Sequence, residues 1–272
     1  MEKGYSLHIG VNQLDLGNYK GSGDLLDLPV CEADAKAMAS IAFDLNYQET
    51  RVLLTKSATK SKIKRILKRY SKELKAGDAL LLTFSGHGGK ATFRDNFYRT
   101  QIDEDPDKAP DEEPDKEKEY WCLYDGILKD TSLVKWLYKF KKGVKITIVA
   151  DCCFSAGLIP NFKMNQQRDL PYIGDQVEQF LPGLKAHMYL MCASRESEYA
   201  AIKNTAAGYS IFTEQLLEVW ASGGYEDSCE NFIKDIRRKM PPNQSPQFFK
   251  SKEAPASPPF KLNKNGGTSP TT

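Results

Sequence analysis

Two short stretches of this chain combine residue types that can do covalent chemistry. "SGHGG" (85–89) follows the apolar run "ALLLTF", and "DCC" (151–153) follows the apolar run "KITIVA". Gly86, Gly88 and Gly89 let the backbone around His87 turn sharply and approach a ligand closely. The imidazole can then serve as a base, and a neighbouring backbone N–H can face a developing oxyanion. A cysteine at its ordinary pKa near 8.5 is only a few per cent thiolate at neutral pH, and a neighbouring imidazole shifts that balance. Functional groups of an open parallel sheet collect beyond the carboxyl ends of its strands. If these two strands are neighbours, His87 and Cys153 project from adjacent ends into one crevice, and a Cys–His dyad suffices for acyl transfer. Taken alone, "DCC" is weak evidence, because buried cysteine is common in strands.

Other chemistries fit less well. Ser155 is not in a G-x-S-x-G elbow. Of the three histidines, His8 and His187 lie in or beside strand-like runs, where a core role is expected. The His and Cys spacing does not resemble a zinc site. "GSGDLLDLP" lacks the lysine and the following helix of a phosphate loop. A redox switch through Cys152 and Cys153 would need a strained eight-membered ring.

The elements that must position these groups alternate along the chain. "YSLHIGV" (5–11), "RVLLT" (51–55), "ALLLTFSG" (79–86), "KITIVADC" (145–152) and "MYLMCAS" (188–194) read as strands. Most are continuously apolar, as strands covered on both faces are. "EADAKAMASIAFDL" and "KSKIKRILKRYSKEL" carry apolar residues at helical spacing, "DTSLVKWLYKF" opens with a cap residue, and "SIFTEQLLEVWAS" and "CENFIKDIRRK" follow the fifth strand. This alternation predicts an α/β sandwich with a largely parallel sheet. Residues 99–119 and 158–186 read as loops, the tail from about Gly266 as disordered, and "MPPNQSPQFF" as leading into a short edge strand.

Composition sets the frame. The 272 residues can bury a full core, and 40% hydrophobic with 27% charged residues is ordinary for a globular protein. A net charge of +2 gives no sign of nucleic-acid or membrane binding, although 103–119 is acidic and 60–75 basic. The beginning of the sequence lacks a signal-peptide pattern, the six cysteines show no C-x-x-C spacing, and no apolar run reaches membrane-span length. These features predict a cytoplasmic protein with free thiols.

At this point the residues resemble the caspase-like clan of cysteine peptidases (family C14), in its metacaspase and bacterial caspase-like branch. "FSGHGG" followed by "DCCFSAG" is similar to the clan's paired His and Cys motifs. "YSLHIGVNQLD", "CEADAKAMASIA", "AGDALLLTFSGHGG", "EYWCLYDGIL" and "GYSIFTEQLLEVW" resemble further family segments in the same order, over about residues 4–262. The resemblance implies a caspase-type three-layer sandwich: a six-stranded, mostly parallel sheet with helices on both faces. It implies a large catalytic subdomain (1–160), a linker (161–186), a small subdomain (187–264) and a tail (265–272). The third residue of D-x-C is the family's nucleophile, which assigns Cys153, with His87 as partner and the Gly88 N–H at the oxyanion. The caspase His stands roughly 50 residues before the Cys; here it stands 66 before, and the acidic 99–119 loop accounts for the excess.

The resemblance also implies specificity. Caspases hold a substrate aspartate with arginines, whereas Asp34, Ser85 and Asp151 match metacaspase positions that line an acidic primary pocket. Two carboxylates facing a substrate cation favour Arg or Lys at the cleaved position. Read without the resemblance, Asp34 is a helix N-terminal acid and Asp151 a strand-end cap. There are two departures: Phe154 follows the nucleophile, and only Glu119 and Asp130 match the acids of the calcium site of some metacaspases, Thr131 and Ser132 replacing others. No cofactor or metal is expected, and calcium activation is disfavoured. The expected function is cysteine endopeptidase action after Arg or Lys on protein or peptide substrates, with self-processing at Lys163, Arg168 or Lys185. Bacterial relatives point to stress, cell-death or defence signalling. The alternative is a catalytically silent caspase-like module that binds basic peptide segments.

Overall fold

In a computed structural model, residues 2–19, 25–91, 118–153, 183–194, 208–251 and 253–262 are described. Strands β1 (Gly4–Gly10), β2 (Glu49–Leu54), β3 (Ala79–Ser85), β7 (Lys145–Asp151), β8 (His187–Cys192) and β9 (Gln247–Lys250) form one sheet in the order β2-β1-β3-β7-β8-β9. All neighbours pair in parallel except β8 and β9, which are antiparallel. The edge strand expected after "MPPNQSP" is β9.

Both faces of the sheet are covered. Helices α2 (Lys60–Glu73) and α3 (Asp130–Leu137) pack Ile63, Leu67, Tyr70, Leu133 and Leu137 against Leu80, Leu82, Phe84, Ile146 and Ile148. On the other face α1 (Cys31–Asp44), α4 (Ile211–Trp220) and α5 (Cys229–Lys239) pack Met38, Ile41, Phe212, Leu216, Phe232 and Ile236 against Leu81, Val149, Tyr189 and Met191. Successive strand residues point to opposite faces. With helices on both, no polar alternation is needed, so β3 and β7 are buried at every position. His8 belongs to this interior: it is fully buried, its Nδ1 is 2.9 Å from Thr83 Oγ1, and burial pulls its pKa down to about 3. His187 opens β8, half-buried.

A second, antiparallel sheet of β4 (Gly88–Ala91), β5 (Lys118–Leu123) and β6 (Gly126–Lys129) was not legible in the apolar pattern. β5 begins inside the segment read as a loop. Leu123 pairs with Gly126 across a two-residue turn, and Gly126 takes φ +132°, so "YDG" is the turn signal that marks the hairpin. Trp121 stacks on Phe84 with ring centroids 4.4 Å apart, which docks this small sheet on the main core. Residues 92–117, most of the 161–186 linker, Phe154, Lys163, Arg168 and the tail from 263 lie outside the described residues.

Candidate active site

The register of β3 and β7 sets the geometry. Ser85 pairs with Asp151, so His87 and Cys153 each stand two residues past the same rung of the ladder. The two strand ends stay together beyond it. The Gly86 N–H donates to the Asp151 carbonyl at 3.3 Å, and a Cβ on Gly88 would lie 2.2 Å from the Cys153 carbonyl oxygen. Only glycine allows so close an approach at position 88.

The His87 segment is fixed from two directions. Its carbonyl accepts from the Cys122 N–H at 2.9 Å, and β4 begins at the next residue, so the small antiparallel sheet anchors this loop. The ring Nε2 lies 2.6 Å from the Leu26 carbonyl oxygen. A carbonyl only accepts, so Nε2 carries the hydrogen and Nδ1 of the neutral ring keeps the lone pair. Burial lowers the His87 pKa, while the Leu26 carbonyl and the negative charge of Asp27 oppose that shift.

The two adjacent cysteines occupy different environments because the pleat sends them to opposite faces. Cys152 is 1% exposed, packs with the α2/α3 core, and burial drives its pKa far up. Cys153 is half-buried, not in a disulfide, and packed at the margin of the opposite core.

Beneath these strand ends lies a polar cradle. Ser85 and Asp151 share the sheet face covered by α1 and α4. The Ser85 hydroxyl donates to Asp34 Oδ2 at 2.7 Å, and Asp34 Oδ1 accepts from the Ser210 N–H at 3.0 Å. Asp151 Oδ2 accepts from the Ser210 hydroxyl and from the Thr213 hydroxyl, the latter at 2.7 Å. Asp34 and Asp151 are 1% and 3% exposed, and neither pairs with a cation among the described residues. Burial first, and then the Asp151 charge, raise the Asp34 pKa from 3.8 to about 7; burial also raises that of Asp151. Two buried carboxylates held by neutral donors alone carry uncompensated charge, which a shared proton or a nearby cation would relieve.

Leu26, Ser210 and Thr213 are contributors that the sequence reading missed. "GYSIFT" carried a signal for two of them, since Ser210 is the N-cap of α4 and accepts from the Thr213 N–H. Leu26 acts through its carbonyl, which no residue type announces. The two acids compared with a calcium site are apart in role: Glu119 lies 3.8 Å from Lys90 Nζ, and Asp130 Oδ1 accepts from the Thr131 N–H at 2.5 Å. Among the described residues no cluster of three His, Cys, Asp or Glu side chains could hold a metal ion, and no helix is long and apolar enough to cross a membrane.

Comparison with known proteins agrees with the fold. The family model for the caspase domain of peptidase family C14 matches residues 4–258. A crystal structure of the protein GSU0716 from Geobacter sulfurreducens is 29% identical, with a TM-score of 0.71 over 96% of this chain and 99% of that one. Caspase-1 from Spodoptera frugiperda shares the fold at 12% identity, with a TM-score of 0.56 over 97% of this chain and 92% of that one. No functionally curated protein matches the chain.

Proposed function

Because this chain belongs to the caspase-domain family of cysteine peptidases, we propose that it is an endopeptidase that cuts after Arg or Lys through a Cys153–His87 dyad. The observation that carries the reading is the shared rung Ser85–Asp151, with a nucleophile and a base two residues above it and the Asp34–Asp151 carboxylates on it.

In the proposed reaction the Cys153 thiol gives its proton to Nδ1 of His87. The thiolate attacks the substrate carbonyl carbon, and backbone N–H groups at Gly88 and Cys153 receive the oxyanion. The imidazolium, held through Nε2–H on the Leu26 carbonyl, then protonates the departing amine as the C–N bond breaks. A thioester remains on Cys153. Water, deprotonated by Nδ1, attacks it, releasing the carboxylate product and restoring the thiol. A guanidinium or ammonium entering the cradle would meet two carboxylates that have only neutral donors, which supports a basic residue at the cleaved position. An aspartate there would face like charge.

The same reading includes the metacaspase-like branch, action in the cytoplasm within a stress, cell-death or defence response, and self-cleavage between β7 and β8, where Lys185 lies in the described part of the connection. Turnover of fluorogenic peptides ending in Arg, Lys or Asp tests it. Arg and Lys substrates are expected to be cut at least 100-fold faster than Asp, with all turnover lost in Cys153→Ala. Preference for Asp overturns the specificity, and activity surviving in Cys153→Ala overturns the nucleophile.

A further inference from the structure

A groove of about 540 Å3 opens at the carboxyl ends of β1 and β2, outside the dyad and its acidic cradle. Asn12, Gln13, Asp27, Glu32, Thr55 and Lys56 line it. We infer that this groove is the subsite for substrate residues that follow the cut bond, and that it selects a basic side chain at the second or third of them. The inference rests on the peptidase reading above.

Direction comes from the chemistry. The group that protonates the leaving amine must lie on the leaving side of the nucleophile. Across the sheet the order is β2-β1-β3-β7, with His87 at the end of β3 and Cys153 at the end of β7. The departing half of the substrate therefore runs from β3 over β1 toward β2. Adjacent strands are about 4.8 Å apart, so β2 lies roughly 10 Å from β3, which an extended peptide covers in about three residues at about 3.3 Å each. That distance brings the second or third residue to Asn12, Leu54 and Thr55, where the groove opens. Leu26 lies between, 75% exposed, with its carbonyl on His87, and offers an apolar surface to the first residue.

Charge sets the selection. Asp27 Oδ2 accepts from the Gln13 amide at 2.8 Å, and Glu32 Oε1 accepts from the Thr55 hydroxyl at 2.5 Å. Both donors are neutral, so they orient the carboxylates without cancelling their charge. Lys56 is the one cation of the lining, which leaves the groove with an excess of one negative charge. Ser, Thr and amide donors alone would have left it indifferent to sign.

Internally quenched peptides with a fixed Arg before the cut, and Lys, Ala or Glu at the second and third positions after it, test the inference. In the wild type kcat/KM is expected to favour Lys over Glu by about fivefold, the scale of a partly exposed charge interaction. The Asp27→Asn/Glu32→Gln double variant keeps both hydrogen-bond acceptors and should bring that ratio close to one. Lys56→Ala should widen it. Each ratio is measured within one enzyme, so differences in overall activity or folding cancel. A flat wild-type profile, or a ratio unmoved in the double variant, overturns the subsite while leaving the peptidase reading standing. An Arg-coumarin amide has no residue after the cut; failure to cleave it overturns both.

Discussion

At the scale of residues, the decisive contrast is between neighbours of one type. Asp34 and Asp151 are both acids at the ends of elements, yet neither sits where an acid is comfortable: both are buried and face each other's charge. The native state therefore holds a proton on Asp34 over a pH range in which the unfolded chain has released it. The folded pKa is raised, so this stabilising contribution is complete below about pH 3.8 and is lost as pH rises through about 7. Activity toward basic substrates should run the opposite way, because only the ionised cradle attracts a cation. We expect the melting temperature to fall by roughly 5–10 °C between pH 4 and pH 8 from this source, while kcat/KM for Arg substrates rises through pH 7. Asp34→Asn should flatten the stability profile and cost most of the preference for Arg. Differential scanning fluorimetry across pH, paired with initial rates, checks both slopes. A variant with the wild-type pH dependence would show that Asp34 does not hold the proton.

At the scale of elements, the site depends on how four segments end. β3 and β7 stop on one rung, α1 starts with Asp34 in its first turn, and α4 starts at Ser210. Ser210 does two jobs: it caps α4 by accepting from the Thr213 N–H, and its hydroxyl donates to Asp151. Ser210→Ala removes both contacts. Loss of the cap alone costs about 1 kcal/mol, and the Asp151 carboxylate loses a donor that favours its charged form. The loss of stability should therefore be larger at pH 8 than at pH 5, and urea unfolding at the two pH values measures the difference. Equal losses would mean that Ser210 is only a cap.

These endings also explain what could be read from the sequence. Strands β1, β3, β7 and β8 were visible because burial on both faces makes them continuously apolar, and His87 and Cys153 stood out as polar residues just past such runs. The small β4–β5–β6 sheet was not visible, because its strands are short and β4 is half glycine. Yet it anchors the His87 carbonyl through Cys122. The Leu26 carbonyl, the Ser210 donors and the groove at β1 and β2 were hidden for a different reason. Each is created by juxtaposition of segments distant in the chain; the capping pattern at Ser210 marks a helix start but not its contact with Asp151.

At the scale of the whole molecule, one sheet and one shared cluster join the segments on either side of the β7–β8 connection. β8 lies between β7 and β9, in parallel register with β7 from Lys145–His187 to Ala150–Cys192. The segment after the connection supplies Tyr189, Met191, Phe212, Trp220, Phe232 and Phe260 to a cluster whose remaining members include Met38, Ile41, Leu81 and Val149. Lys145 adds a polar clasp: its buried ammonium donates to the Ser257 hydroxyl at 2.7 Å and to the carbonyls of Pro258 and Lys261 at 2.9 and 3.2 Å. A chain cut between 161 and 182 should thus remain one particle, because separation would expose a sheet edge and a large apolar surface and would break the Lys145 hydrogen bonds. An engineered protease site in that interval, in the Cys153→Ala background, tests this directly. The two fragments should co-elute at the size of the intact chain on native gel filtration and separate only in denaturant. Fragments that part under native conditions would mean that the covalent connection, rather than the sheet, holds the two halves together.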